Sequence, residues 1–197
     1  MIVNNISAEY DGKHIFSDFK QELKGNKILI TGHSGCGKTT LLKKLFQQYN
    51  DDKQSKKNTI IILQDDGLLP WKSGIRCITD FLPAISEEEI RKHSLYHLVS
   101  GFIEKPTWKM SFGQRRSIEL LRACLSKADV VLLDEPLNYL DESRQREFVK
   151  FFFKKFIKDR TILITSHDTT PFYGQSLEHY KFPTSRPIDS LTYVGKT

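Results

Sequence analysis

The chain of 197 residues has little cysteine and no long apolar run. No stretch approaches the ~20 consecutive apolar residues that cross a bilayer. Met1 to Tyr10 carries Asn4, Asn5 and Glu9 where a secretory leader needs unbroken apolarity. A cytoplasmic protein is expected. Cys36, Cys77 and Cys124 are odd in number and lack paired spacing, which excludes a disulfide framework and argues against a zinc site. No internal repeat is found, and the length suffices for one domain with a sizeable core but not for two catalytic domains. The formal net charge of +6 comes from scattered lysines and arginines. Their densest run, between Asp52 and Asn58, sits in what reads as a loop, so a solvated surface is expected and nucleic acid is not the expected partner.

Short apolar, β-prone runs are what the chain does have: Lys27 to Ile30, Thr59 to Leu63, Val130 to Leu133 and Thr161 to Thr165. They lack polar alternation, as strands buried on both faces of a parallel sheet do. Helical patterns lie between them. Thr40 to Gln48 puts Leu41, Leu42, Leu45 and Phe46 on one side, Gln114 to Leu125 spaces Ile118, Leu121 and Leu125, and Phe148, Phe152 and Phe156 recur after an acidic start at Asp141 and Glu142. This alternation predicts an α/β domain with a parallel sheet. Residues 1–24 read instead as short half-buried strands with a turn at Asp11-Gly12, an antiparallel β flap. Residues 72–126 are expected to form an inserted α-helical subdomain, and the end from His179, broken by Pro183 and Pro187, has no clear pattern.

Gly32-His33-Ser34-Gly35-Cys36-Gly37-Lys38-Thr39 fits G-x-x-x-x-G-K-[ST], with an apolar strand before it and a helix, from Thr40, after it. Glycines let such a loop turn its N–H groups inward as an anion nest, and the helix adds its positive end. The motif predicts MgATP binding, with Lys38 on the outer phosphates and the Thr39 hydroxyl on Mg2+. Val130 to Pro136 is an apolar strand ending in two acids, Asp134 and Glu135. Adjacent buried carboxylates are costly without a compensating cation. Asp134 is the expected Mg2+ ligand, through water, and Glu135 the group that polarises the attacking water, as general base or by orienting it. His167 follows the run Thr161 to Thr165, where α/β ligand sites form, and is a candidate for the γ-phosphate. Gln64 follows Ile60 to Leu63 in the same way, and its amide is a candidate for Mg2+ or the water, with an ordinary loop residue as the plainer reading. Cys36, beside Lys38 at a helix start, reads either as a thiol with a lowered pKa or as an inert small residue filling the position.

Met110-Ser111-Phe112-Gly113-Gln114 opens the helix leading to Asp134, and Ser111 with Gln114 reads as a capping box. The same five residues resemble the Leu-Ser-Gly-Gly-Gln signature of ATP-binding cassette (ABC) ATPases. The order of Tyr10, Gly32 to Thr40, Gln64, Ser111 to Gln114, Val130 to Glu135, Leu140-Asp141 and His167 is similar to that family's aromatic loop, phosphate loop, glutamine loop, signature, acidic strand, D-loop and switch histidine. The chain is identified as a member on a resemblance that covers nearly its whole length. That resemblance implies ATP hydrolysis by a head-to-tail dimer, each ATP held between one copy's phosphate loop and the other's Ser111, Gly113 and Gln114. Asp141 would cross the interface, and Tyr10 would stack on adenine or lie in the core. Two departures stand out. Phe112 replaces the signature's first glycine and Met110 its leucine. With about thirty residues after His167, no regulatory C-terminal domain is expected.

The segment from Gln64 to Pro70-Trp71 looks like the glutamine loop of importer ATPases of the nitrate, sulfonate and thiamine type, implying a separate transmembrane permease partner and a peripheral place on the inner membrane face. A rival resemblance lies in Asp134 to Asp141, which is similar to the D-loop region of soluble F-type ABC proteins that act on ribosomes. Those carry two cassettes in one chain, and this chain has room for one.

Overall fold

The apolar runs of the sequence form the strands of one sheet, and a polar excursion at the chain's end completes it. The computed structural model describes residues 1–52, 57–65, 67–156, 160–184 and 186–197, and the backbone alone at Ile2, Tyr10 and Lys13. The chain divides into two units, Met1–Ile61 with Ala128–Glu135 and Asp159–Thr197, and Ile62–Lys127 with Pro136–Lys158.

The first unit begins with strands β1 (Ile2–Tyr10) and β2 (Lys13–Glu22), an antiparallel pair joined at Asp11 and Gly12. Both turn residues have positive φ, 51° and 70°, the requirement of a tight hairpin whose twist matches its strands. Next come β3 (Lys27–Thr31), α1 (Lys38–Asp51), β4 (Thr59–Ile62), β5 (Val130–Asp134), β6 (Thr161–Ser166), β7 (Glu178–Lys181) and β8 (Thr192–Lys196). The sheet order is β4-β5-β6-β3-β7-β8. β5, β6, β3 and β7 run parallel, and β8 is antiparallel to β7. β5 is buried at every residue, which is why its sequence shows no polar alternation. α1 buries Leu41, Leu42 and Leu45, one stripe of an amphipathic helix, and these join Phe16, Phe19, Leu23, Ile28, Ile30, Leu132, Leu163 and Tyr180 in one apolar core.

The C-terminal strands escaped the sequence pattern because β7 has a single fully buried side chain, Tyr180, between charged or polar neighbours. Ile188 and Leu191, between β7 and β8, are pinned to the hairpin: Ile188 N–H donates to Ile15 O at 2.9 Å, and the Gln21 amide spans Leu191 N (2.8 Å) and Leu191 O (3.0 Å).

The second unit begins at the last residue of β4, and its α-helices among the described residues are α2 (Gly74–Phe81), α3 (Glu87–Lys92), α4 (Phe112–Leu125) and α5 (Glu142–Phe151), each started by a capping side chain from Ser73, Ser86, Ser111 and Asp141 respectively. A Cβ on Gly74 would meet Ile118 Cδ1 at 2.9 Å and Ile103 O at 3.0 Å, so glycine lets α2 lie close against α4. α5 runs into a single π-turn, Phe152–Phe156. The wider turn keeps Phe152 and Phe156 buried, in edge contact with ring centroids 5.3 Å apart.

Candidate nucleotide site

Parallel registry brings the carboxyl ends of β3, β5 and β6 together, Thr31 beside Ser166 and Asp134 beside Thr165. From β3 the chain enters the loop Gly32 to Thr39. A Cβ on Gly32 would lie 2.6 Å from Cys36 Sγ and 2.9 Å from Phe182 Cβ, and Gly37 sits at φ 115° with Ile15 Cγ2 2.9 Å from where its Cβ would be. Only glycine fits either place. Gly37 then starts α1, whose first turn carries no acidic residue, so its positive end has no carboxylate of its own to meet.

Lys38 is buried and arches back over the loop, its Nζ donating to Gly32 O at 2.8 Å and His33 O at 3.2 Å, 3.4 Å from Glu135 Oε1. The Thr39 hydroxyl donates to Asp134 Oδ2 and the Thr165 hydroxyl to Asp134 Oδ1, each at 2.5 Å. Asp134 is fully enclosed and Glu135 is 6% exposed. Glu135 adopts φ 47°, held there by its N–H, which donates to Thr165 O at 3.1 Å and Thr165 Oγ1 at 3.2 Å. Its Oε2 accepts the His167 N–H at 3.2 Å and lies 3.0 Å from His167 Nδ1. His167 is placed by the turn after β6, where the Ser166 hydroxyl accepts from Asp168 N–H at 3.1 Å, and its side chain is 65% exposed. Two adjacent buried carboxylates are thus compensated by one ammonium, two hydroxyls and a backbone N–H.

The second unit holds the other predicted residues except Tyr10. Ser111 and Gln114 form the predicted capping box: Ser111 Oγ accepts from Gln114 N at 3.2 Å, and Gln114 Oε1 from Ser111 N at 3.0 Å. A Cβ on Gly113 would sit 2.4 Å from Tyr139 O. Phe112 and Tyr139 are both exposed, with ring centroids 5.4 Å apart. Asp141 caps α5 by accepting from Arg144 N at 2.9 Å, a bond that holds its carboxyl below the usual carboxylate range. Gln64 is exposed just after β4.

The ABC transporter family profile matches residues 21–138. The chain belongs to the ABC transporter family. The taurine import ATP-binding protein of Escherichia coli O157:H7 is 25% identical over 185 residues, covering 84% of this chain and 72% of that protein. Its counterpart in Shigella boydii serotype 4 is 26% identical over the same shares. The fold is that of a bacterial ABC transporter cassette, MJ0796, solved as a dimer: TM-score 0.77 at 17% identity, covering 98% of this chain and 97% of that one. The α/β phosphate-loop fold and the ATPase assignment read from the sequence stand.

Within this ABC cassette the first unit gathers Gly32 to Thr40, Asp134, Glu135 and His167, while Gln64, Ser111, Gly113, Gln114 and Asp141 belong to the second. Tyr10 ends β1, and its side chain lies outside the described residues. One expectation is corrected. The Cys36 thiol is pushed up, not down, because burial disfavours the thiolate by more than Lys38 favours it; the residue is 1% exposed, with Sγ packed against Gly32. Sequence reasoning also missed Arg186, which donates to Gly35 O at the loop's tip. Nothing in the proline-broken segment around it hints at that role.

Proposed function

We propose that this chain is the MgATP-hydrolysing motor subunit of a membrane importer, working as a head-to-tail dimer against a separate permease at the inner face of the membrane. The observation that carries it is Glu135, buried and fixed between Lys38 and His167, next to an Asp134 already bonded to the Thr39 hydroxyl.

The N–H groups of Gly32 to Thr39 and the end of α1 cradle the phosphates, and Lys38, now resting on two loop carbonyls, turns its ammonium to the outer ones. A hydroxyl and a carboxylate in contact at the loop's mouth are hard oxygen ligands that suit Mg2+, so Thr39 and Asp134 would hold it. Bound there, Mg2+ supplies charge neutralisation on the outer phosphates. Glu135 takes or polarises the proton of the attacking water, and His167 orients that carboxylate and contacts the γ-phosphate. Gln64 contributes its amide to the metal or the water. Tyr10 covers the adenine. From the second copy, Ser111, Gly113 and Gln114 face the γ-phosphate with the capped end of α4, and Asp141 enters beside them.

The relatives' import roles favour a permease partner over the ribosome-bound alternative. Purification of the tagged chain from detergent-solubilised membranes separates the two: a co-eluting multi-span protein supports the importer, and co-eluting ribosomes would overturn it.

A further inference from the structure

α4 carries charge where a helix buries its apolar face. Arg116 is 2% exposed and Glu119 1% exposed, and the two pair at 3.1 Å. A buried ion pair gives little net stability over an apolar pair of the same volume, so its presence calls for another reason. The remaining bonds of the pair supply one. Arg116 Nη1 donates to Leu63 O at 2.7 Å and Arg116 Nη2 to Gln64 O at 2.5 Å. Glu119 Oε1 accepts the Gly67 N–H at 2.8 Å. Arg122, one turn on, backs Glu119 at 3.8 Å while its guanidinium lies 4.4 Å from the Phe81 ring centre. Backbone groups on either side of the Gln64 side chain are therefore gripped by α4, the helix whose first turn is Phe112 to Gln114.

We infer that Arg116 and Glu119 are positioning residues that clamp the glutamine loop to the signature helix, so that Gln64 and the start of α4 move as one piece. The guanidinium fork is needed because two carbonyls must be held by one planar group, which a lysine ammonium cannot do in the same geometry. The clamp rests on the reading of Gln64 as a catalytic-loop residue. A loop carrying a metal or water ligand must be fixed to within a fraction of an ångström, and a misplacement of one costs on the order of a hundredfold in rate. Tying the loop to α4 also gives a partner's engagement of the signature a mechanical route to Gln64.

The test uses the full chain and removes both charges at once, Arg116→Met with Glu119→Gln, so that neither partner is left buried and unpaired. Gln still accepts the Gly67 N–H, while Leu63 O and Gln64 O lose their donor. The expected double variant stays folded, melting lower than wild type because Arg122 loses its carboxylate and two carbonyls lose their donor, and binds ATP as tightly. Its kcat falls about tenfold or more, its half-activating Mg2+ concentration rises, and amide exchange at residues 62–65, 67 and 68 speeds up. A folded double variant with kcat and exchange within about twofold of wild type overturns the clamp. Should that variant not fold, Arg116→Lys decides: it keeps the pair with Glu119, and wild-type turnover and exchange in it likewise overturn the inference. Gln64→Ala separates the two readings, since wild-type turnover in that variant sinks the catalytic role of Gln64 while amide exchange still reads the clamp itself.

Discussion

Glu135 combines a left-handed backbone with near-complete burial. For a residue with a Cβ the conformation costs about 1–2 kcal/mol, and burying the carboxylate adds to that. Both costs are met by named partners: the Thr165 carbonyl and hydroxyl on its N–H, and Lys38 and the His167 N–H on its carboxylate. Strain gathered on one acid in this way is the mark of a group placed for chemistry. Glu135→Gln keeps the shape and removes the charge that the proposed mechanism uses to polarise water, so turnover should fall about a hundredfold or more while ATP binding survives. A phosphate-release assay beside a nucleotide-binding titration checks this, and wild-type turnover would reduce the acidic pair to a metal site. Cys36 makes the opposite case, a residue whose motif position suggests reactivity that packing removes. Its raised thiol pKa means that the protonated form persists at neutral pH and thiolate appears only above the ordinary cysteine value. Cys77 is raised for the same reason, burial. Maleimide should therefore label Cys36 in the native chain no faster than Cys77 at pH 7, with labelling rising as the solution becomes strongly alkaline; mass spectrometry after brief exposure reads both sites. The linkage has a definite sign. A thiol raised by folding contributes stability that is present below its unfolded pKa and lost as pH climbs through the folded one. Rapid, selective labelling of Cys36 at pH 7 would contradict the buried geometry.

At the scale of elements, what the sequence made legible was what buried strands and capped helices write into composition. β3, β5 and β6 are apolar runs because both faces of each are covered, while the edge strand β4 is apolar with alternating burial, and the acids that end β5 stood out against that background. The phosphate loop was legible because glycine spacing and a following helix are local requirements. β7 and β8 were not, since β7 is built on a single fully buried anchor, Tyr180, between charged or polar neighbours. Nor was the burial of Arg116 and Glu119, because charged residues on a helix are ordinarily its solvated face and only tertiary contacts reveal otherwise. Gly113 lies where Tyr139 O approaches to within 2.4 Å of a would-be Cβ, and Tyr139 is itself at φ 67°, so neither backbone yields easily. Gly113→Ala should lower stability by at least about 1 kcal/mol, the scale of overpacking, despite alanine's better helix propensity. Gly101→Ala meets nothing within 4 Å and should be close to neutral. Denaturant titration of the two variants makes the comparison, and equal effects would refute the close contact.

The whole molecule presents one phosphate loop and one signature, and the signature's surroundings differ from what the family resemblance implies. Phe112 is 61% exposed and Tyr139 58%, a tilted aromatic pair at the start of α4, with the Arg115 guanidinium 4.5 Å from the centre of the Phe112 ring. Paired aromatics beside an arginine are the composition of an interface centre more than of a free surface. A second copy closing on bound ATP would cover them, and the γ-phosphate would supply the charge that the N–H groups of α4 are oriented to meet. ADP lacks that group and should not support closure. The Glu135→Gln chain, able to bind but slow to hydrolyse, should therefore pass from monomer to dimer in light scattering when MgATP is added and stay monomeric with MgADP. Phe112→Asp on that background should weaken the dimer at least tenfold, about 1.4 kcal/mol, since it loses apolar contact and sets a carboxylate toward the phosphates. A Glu135→Gln chain that remains monomeric at high concentration with ATP bound would remove the head-to-tail dimer from the proposal. A Phe112→Asp variant that dimerises as well as its parent would instead keep the dimer and place the aromatic pair outside its contact.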